Sequence, residues 1–126
     1  MDRREFMATV AAGILLRQDQ EKTTSMYGLI GKMNATPGQR DELIAILLEG
    51  TARMPGCLSY IVAKDTTDAN AIWITEVWDT EANHKASLGL PAVQAAIARA
   101  RPMIAGFGER FITTPLGGVG LVTGKQ

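Results

Sequence analysis

The sequence has little of what builds metal clusters or covalent staples. It contains one cysteine, Cys57, and one histidine, His84. A single thiol excludes an internal disulfide and any cysteine-based metal cluster. A single imidazole leaves at most a mixed His/carboxylate metal site within a protomer. Net charge is also missing: 13 Lys and Arg balance 13 Asp and Glu. A neutral chain gives no electrostatic reason to expect nucleic acid or an anionic membrane as partner. Glycine-rich phosphate loops are absent from the expected strand–helix junctions. Gly117-Gly118-Val119-Gly120 sits in the tail with no helix after it, so no nucleotide cofactor is expected. The apolar run at residues 8–16 is too short for a stable membrane span. With 126 residues the chain allows one domain, whose core is thin unless a partner adds to it.

Three segments are expected. Residues 1–25 form an N-terminal signal-like segment and polar linker, residues 26–113 the folded domain, and residues 114–126 a glycine-rich tail. Arg3-Arg4-Glu5-Phe6, followed by an apolar stretch, resembles a twin-arginine export signal, which implies a periplasmic protein. The alternative is a short amphipathic helix on a cytoplasmic protein.

Within the domain, residues 26–33 read as a first strand. Thr36, Pro37 and Gln39 then suit the cap, first position and capping-box position of a helix. Leu43, Ile44, Leu47, Leu48 and Thr51 recur at helical spacing and predict its inner stripe, with Met54-Pro55-Gly56 as its stop. Strands follow at 57–64 and 71–78, joined by a turn at 65–70. Thr80 caps a short helix ending near Leu88. Pro91 starts another, whose shared face is Val93, Ala96, Ile97, Ala100 and Ile104, and Pro102 ends or kinks it. Residues 107–113 form the last strand. The order is β-α-β-β-α-β, an α+β fold of ferredoxin-like type with an antiparallel four-stranded sheet.

Strand alternation places Leu58, Tyr60 and Val62 on one face and Cys57, Ile61 and Ala63 on the other. It likewise sets Ile72, Ile74 and Trp78 against Trp73 and Val77. Helices cover one face only, so the apolar second face needs another cover. A copy of the same sheet is the simplest. A homodimer through the face carrying Ile61, Trp73 and Val77 is therefore expected.

Residues 33–43, 54–60 and 74–88 together resemble the antibiotic biosynthesis monooxygenase (ABM) family. Their cores are Asn34-Ala35-Thr36-Pro37-Gly38, Met54-Pro55-Gly56-Cys57 and Glu76-Val77-Trp78-Asp79. Leu88-Gly89-Leu90-Pro91 and Arg101-Pro102-Met103 are similar to a subgroup provisionally named quinol monooxygenases. The resemblance implies a dimeric α/β barrel with a pocket between sheet and helices. It also implies oxidation of a quinol or similar small aromatic with O₂, with no metal or flavin cofactor. A non-catalytic small-molecule-binding or stress-associated dimer is the alternative, and a haem-binding relative a minor one. Haem is disfavoured because the family's haem-site positions carry Gly31, Ser87 and about Ile97 here.

Oxygenation of this kind needs a base, an apolar pocket and donors for the developing anion. Glu76 and His84 are the candidate catalytic bases. Glu76 is a carboxylate among apolar neighbours, where burial raises a carboxyl's pKa; its other reading is a carboxylate that only holds the fold. His84 matches a histidine frequent in the subgroup, and imidazole as a side-chain type suits proton abstraction; its other reading is a half-exposed helix histidine. Tyr60, Trp78 and Asn83 are candidate substrate-binding residues, although the core is the favoured reading for Trp78. Arg101 could supply a cation, but no spacing places it in a pocket. Fused to a reporter, residues 1–25 should carry it across the inner membrane, and Lys at both Arg3 and Arg4 should stop it. A reporter retained inside by the unaltered segment overturns the export assignment.

Overall fold

The structure is a computed structural model that describes residues 25–121. The export-type segment therefore lies, Ser25 apart, outside the described residues. Four strands, β1 (Tyr27–Ala35), β2 (Cys57–Lys64), β3 (Ala71–Trp78) and β4 (Ile104–Thr113), form one sheet in the order β2-β3-β1-β4. Every neighbouring pair is antiparallel. Helices α1 (Arg40–Gly50), α2 (Glu81–Ser87) and α3 (Pro91–Ala100) complete the ferredoxin-like arrangement. Among the described residues no helix is long and apolar enough to cross a membrane.

The core lies between β3 and the two longer helices. Ile72 and Ile74 of β3 meet Leu43 and Ile46 of α1 and Ala96 and Ala100 of α3. Trp78, Leu43 and Ile72 are fully buried, and burying each such side chain contributes about 1.5–3 kcal/mol. Gly50 lets α1 and α3 approach closely, since a Cβ there would collide with that of Ala96.

The expected helix start is a turn. Thr36 accepts a hydrogen bond from the Gln39 backbone N–H at 3.0 Å. Gly38 between them has φ +82°, which suits glycine at the third position of a turn with proline second. Helix α1 thus begins at Arg40, with no side-chain cap from Gln39. Its buried residues are Leu43, Ile46 and Gly50, whereas Leu48 is 52% exposed. The inner stripe is rotated because it follows the Gly50–Ala96 approach. The helix also ends earlier than expected, at Gly50, with the Thr51 hydroxyl donating to the Leu47 carbonyl at 2.6 Å. Ile104 belongs to β4, not to the face of α3. Pro102 closes α3 into a short 3₁₀ turn, Arg101–Met103, and β4 starts directly after it.

β2 also departs from simple alternation. Cys57 pairs with Trp78 but Ser59 pairs with Val77, so a bulge falls at Leu58. Cys57 therefore shares the helix-facing side with Trp78, not the opposite face.

The β2–β3 turn is tied down from two sides. Arg40 donates to the carbonyls of Asp65, Asp68 and Ala71 at 3.2, 2.9 and 3.3 Å. The Asp65 carboxylate accepts from the Trp73 indole N–H at 2.8 Å and from the Thr67 and Asp68 backbone N–H groups at 2.8 Å. These donors, the indole first, hold its carboxyl well below the ordinary value of 3.8. A depressed folded-state pKa contributes stability that is present above the unfolded value and lost as pH falls through the folded one. The urea midpoint should accordingly fall as pH drops below about 4, and fall less steeply in Asp65→Asn. Parallel acid profiles for the two proteins would remove Asp65 as the cause.

Candidate functional site

A cavity of about 610 Å³ opens between the sheet and the helices. Its floor is helix-facing strand residues: Met33 of β1, Tyr60 of β2, Ile74, Glu76 and Trp78 of β3, and Phe107 of β4. Leu47 and Thr51 close one side. His84 and Ser87 of α2 with Val93, Ile97 and Ala100 of α3 close the other. Phe107 is 72% exposed, so the cavity is open toward β4.

Two hydroxyls in the cavity are already engaged. The Thr51 hydroxyl donates to Leu47, and the Ser87 hydroxyl donates to the His84 carbonyl at 2.6 Å. Glu76, His84, Tyr60 and Arg101 remain to meet a ligand. Glu76 and Trp78 lie two apart on β3 and share its helix face. The Trp78 indole N–H donates to Glu76 Oε1 at 2.9 Å. That bond satisfies both the buried indole and one oxygen of a half-buried carboxylate.

His84 reaches the same carboxylate from α2. Thr80 caps this helix by accepting from the Asn83 backbone N–H at 3.1 Å. One turn on, His84 Nε2 stands 4.0 Å from Glu76 Oε1, too long for a direct hydrogen bond. The imidazole is held by aromatic contacts. It meets Trp78 edge-on at a centroid distance of 5.5 Å and Tyr27 at 5.3 Å. His84 Nδ1 is buried with no hydrogen-bond partner among the described residues, an exception to the pairing of buried polar atoms that is rare in native proteins.

Two further acids sit beside the pair. Burial pushes the Tyr60 phenol well above its ordinary range, helped by the nearby Glu76 charge. Burial likewise raises the Cys57 thiol, with Glu76 and Asp79 adding to it. The Tyr60 phenol is thus a neutral donor at the cavity, whereas the Cys57 thiol donates to the Ser59 carbonyl at 3.5 Å. Tyr60 has no hydrogen-bond partner among the described residues.

Of the residues expected from sequence, Tyr60, Glu76, Trp78 and His84 come together around the cavity. Asn83 does not line it. Its side-chain amide donates to Asp79 Oδ1 at 2.8 Å, against Gly56, whose φ of +85° and close neighbours leave no space for a Cβ. The Asp79 backbone N–H donates to the Gly56 carbonyl at 2.9 Å and joins the start of α2 to the loop before β2. Arg101 does reach the cavity, carried there by the turn that Pro102 enforces. Sequence reasoning passed over Tyr27, Met33 and Phe107. The β-period could have found Tyr27 and Met33, which share one face of β1. Trp73 lies on the open face, its ring 5.8 Å from Lys32 Nζ. Among the described residues no group of three His, Cys, Asp or Glu side chains could hold a metal.

Comparison with known proteins follows the same lines. The family model described as Antibiotic biosynthesis monooxygenase matches residues 26–99. A protein from Chloroflexus aurantiacus J-10-fl, provisionally named an antibiotic biosynthesis monooxygenase, is 67% identical. Its match covers 77% of this chain and 99% of that one, with a TM-score of 0.75. A Caulobacter crescentus CB15 structure with the same provisional name is 21% identical, covers 79% and 95% of the two chains, and has a TM-score of 0.62. A conserved Methanosarcina mazei Go1 protein is 15% identical over 76% and 96%, with a TM-score of 0.60. The last two share the fold. No curated protein matches significantly.

Proposed function

The chain belongs to the antibiotic biosynthesis monooxygenase family, and on that premise we propose that it oxidises a quinol or similar small electron-rich aromatic with O₂ in the cavity under its helices. The observation that carries this reading is the Glu76–His84 pair. A carboxylate oriented by Trp78 faces an imidazole across 4.0 Å at a mostly apolar cavity.

In this reading a ring hydroxyl gives its proton to the imidazole, and Glu76 stabilises the imidazolium that forms. The ring anion transfers an electron to O₂, recombination of the two radicals forms a C–O bond, and the imidazolium returns its proton to the peroxide anion so formed. Loss of water from the resulting hydroperoxide leaves an oxidised ring that keeps one oxygen atom, the other leaving as water. The Tyr60 phenol, neutral because of its burial, donates to the developing oxyanion. The apolar walls exclude water from the reactive intermediates.

We also propose that two protomers pair through the open sheet face carrying Ile61, Trp73 and Val77. Ile61 is 57% exposed there, and Ile30 of β1 lies directly across the ladder from Phe111 of β4 on that face. Export by the N-terminal segment belongs to the same proposal.

Oxygen uptake with a panel of hydroquinones and anthrones should show turnover. His84→Ala and Glu76→Gln should each lower kcat by about 10²–10⁴-fold, as removal of a positioned proton-transfer group does. No uptake by the unaltered protein favours the non-catalytic binding dimer, and uptake unchanged in both variants discards the proposed bases. Light scattering at micromolar concentration should give twice the 13.5 kDa chain mass; the chain mass alone overturns the pairing.

A further inference from the structure

A second cavity of about 210 Å³ adjoins the first. The two share Met33, Ile74, Glu76 and Phe107, so Glu76 stands where they meet. The annex lies over β1, at Gly31.

Glycine inside a strand weakens it and calls for a reason. Gly31 does not have a positive φ, so the backbone does not require it. Close approach does not require it either, since a Cβ there would meet nothing within 4 Å. Gly28, on the same strand, is different: its Cβ would collide with the Thr113 hydroxyl. What the missing side chain at Gly31 leaves is the annex itself.

The annex is electrically polarised. Gly31 pairs directly with Arg110 of β4, so the Arg110 side chain leaves the sheet on the cavity side. The Arg110 side chain has no ion pair or hydrogen bond among the described residues. The other two charged residues that line the annex, Lys32 and Glu109, have their charges 4.0 Å apart, where they offset each other. Glu76 lies on β3 and Arg110 on β4, with β1 between them. Two strand spacings and a two-residue offset, Glu76 pairing with Leu29 and Arg110 with Gly31, place their backbones roughly 12 Å apart. A hydroxylated ring bearing a carboxylate fits this span. The hydroxyl end faces Glu76 and His84, and the carboxylate is turned away from Glu76 toward the guanidinium.

We propose that Gly31 and Arg110 make the annex a subsite for an anionic substituent, so that the cavity selects an aromatic acid over the uncharged ring. The inference rests on the main cavity being the substrate site.

The test is binding of 2,5-dihydroxybenzoate and of hydroquinone to the full chain without oxygen, followed by calorimetry. The acid should bind about tenfold more tightly, the scale of one charge-assisted hydrogen bond. Arg110→Gln should erase that difference and leave hydroquinone binding unchanged. Gly31→Leu should fill the annex and abolish acid binding while hydroquinone still binds. A thermal melt checks that this variant folds, and Arg110→Gln decides if it does not. Equal affinity for the two probes, no binding of the acid, or equal weakening of both by Arg110→Gln overturns the subsite. Oxygen uptake reads the other proposal separately. Acid binding through Arg110 without uptake keeps the subsite and discards the monooxygenase; uptake with no preference for the acid does the reverse.

Discussion

One hydrogen bond links the packing of this protein to its chemistry: the indole N–H that Trp78 gives to Glu76. A carboxylate on the inner face of a sheet is costly unless donors meet it. The donor here comes from the same strand, two residues along, and is itself fully buried. The bond therefore needs no loop and no second helix to form. Once it is in place, the carboxylate has a fixed direction and α2 can bring His84 toward it. Ile72 and Ile74 close the core on the same strand face, and Glu76 and Trp78 open it into a cavity. Strand β3 thus carries both halves of the molecule, and the boundary between them falls within a few residues.

The fold was largely legible because its signals are local. The β2 and β3 strands, the turn between them, the Thr80 cap and the proline that opens α3 each depend on residues close in sequence. The departures came where one local signal fits two structures. Pro37 suits the first position of a helix and the second position of a turn, and only the backbone at Gly38 decides between them. A bulge leaves no mark on hydrophobic alternation, so Cys57 was assigned to the wrong face. The inner stripe of α1 was rotated because it is set by a contact with Ala96 on another helix.

The candidate site divides in the same way. Tyr60, Glu76 and Trp78 could be grouped by counting along strands, and His84 by its distance from a recognisable cap. Arg101 and the annex could not. Arg101 enters the cavity because Pro102 tightens the end of α3, and the annex exists only where three strands lie side by side. Gly31 reads in the sequence as one more small residue in a strand. Its meaning lies in what a side chain would have filled.

The sheet order leaves β4 at an edge, with nearly every residue exposed. A long edge strand offers an unpaired row of backbone groups to any other chain, and Phe107, Phe111 and Ile112 make this one adhesive. The irregular register opposite Lys32, with charges at Glu109 and Arg110, blunts only part of it. A partner laid over β4, as in the proposed pairing, would therefore separate an orderly assembly from cross-β aggregation, the hazard that an uncovered edge carries.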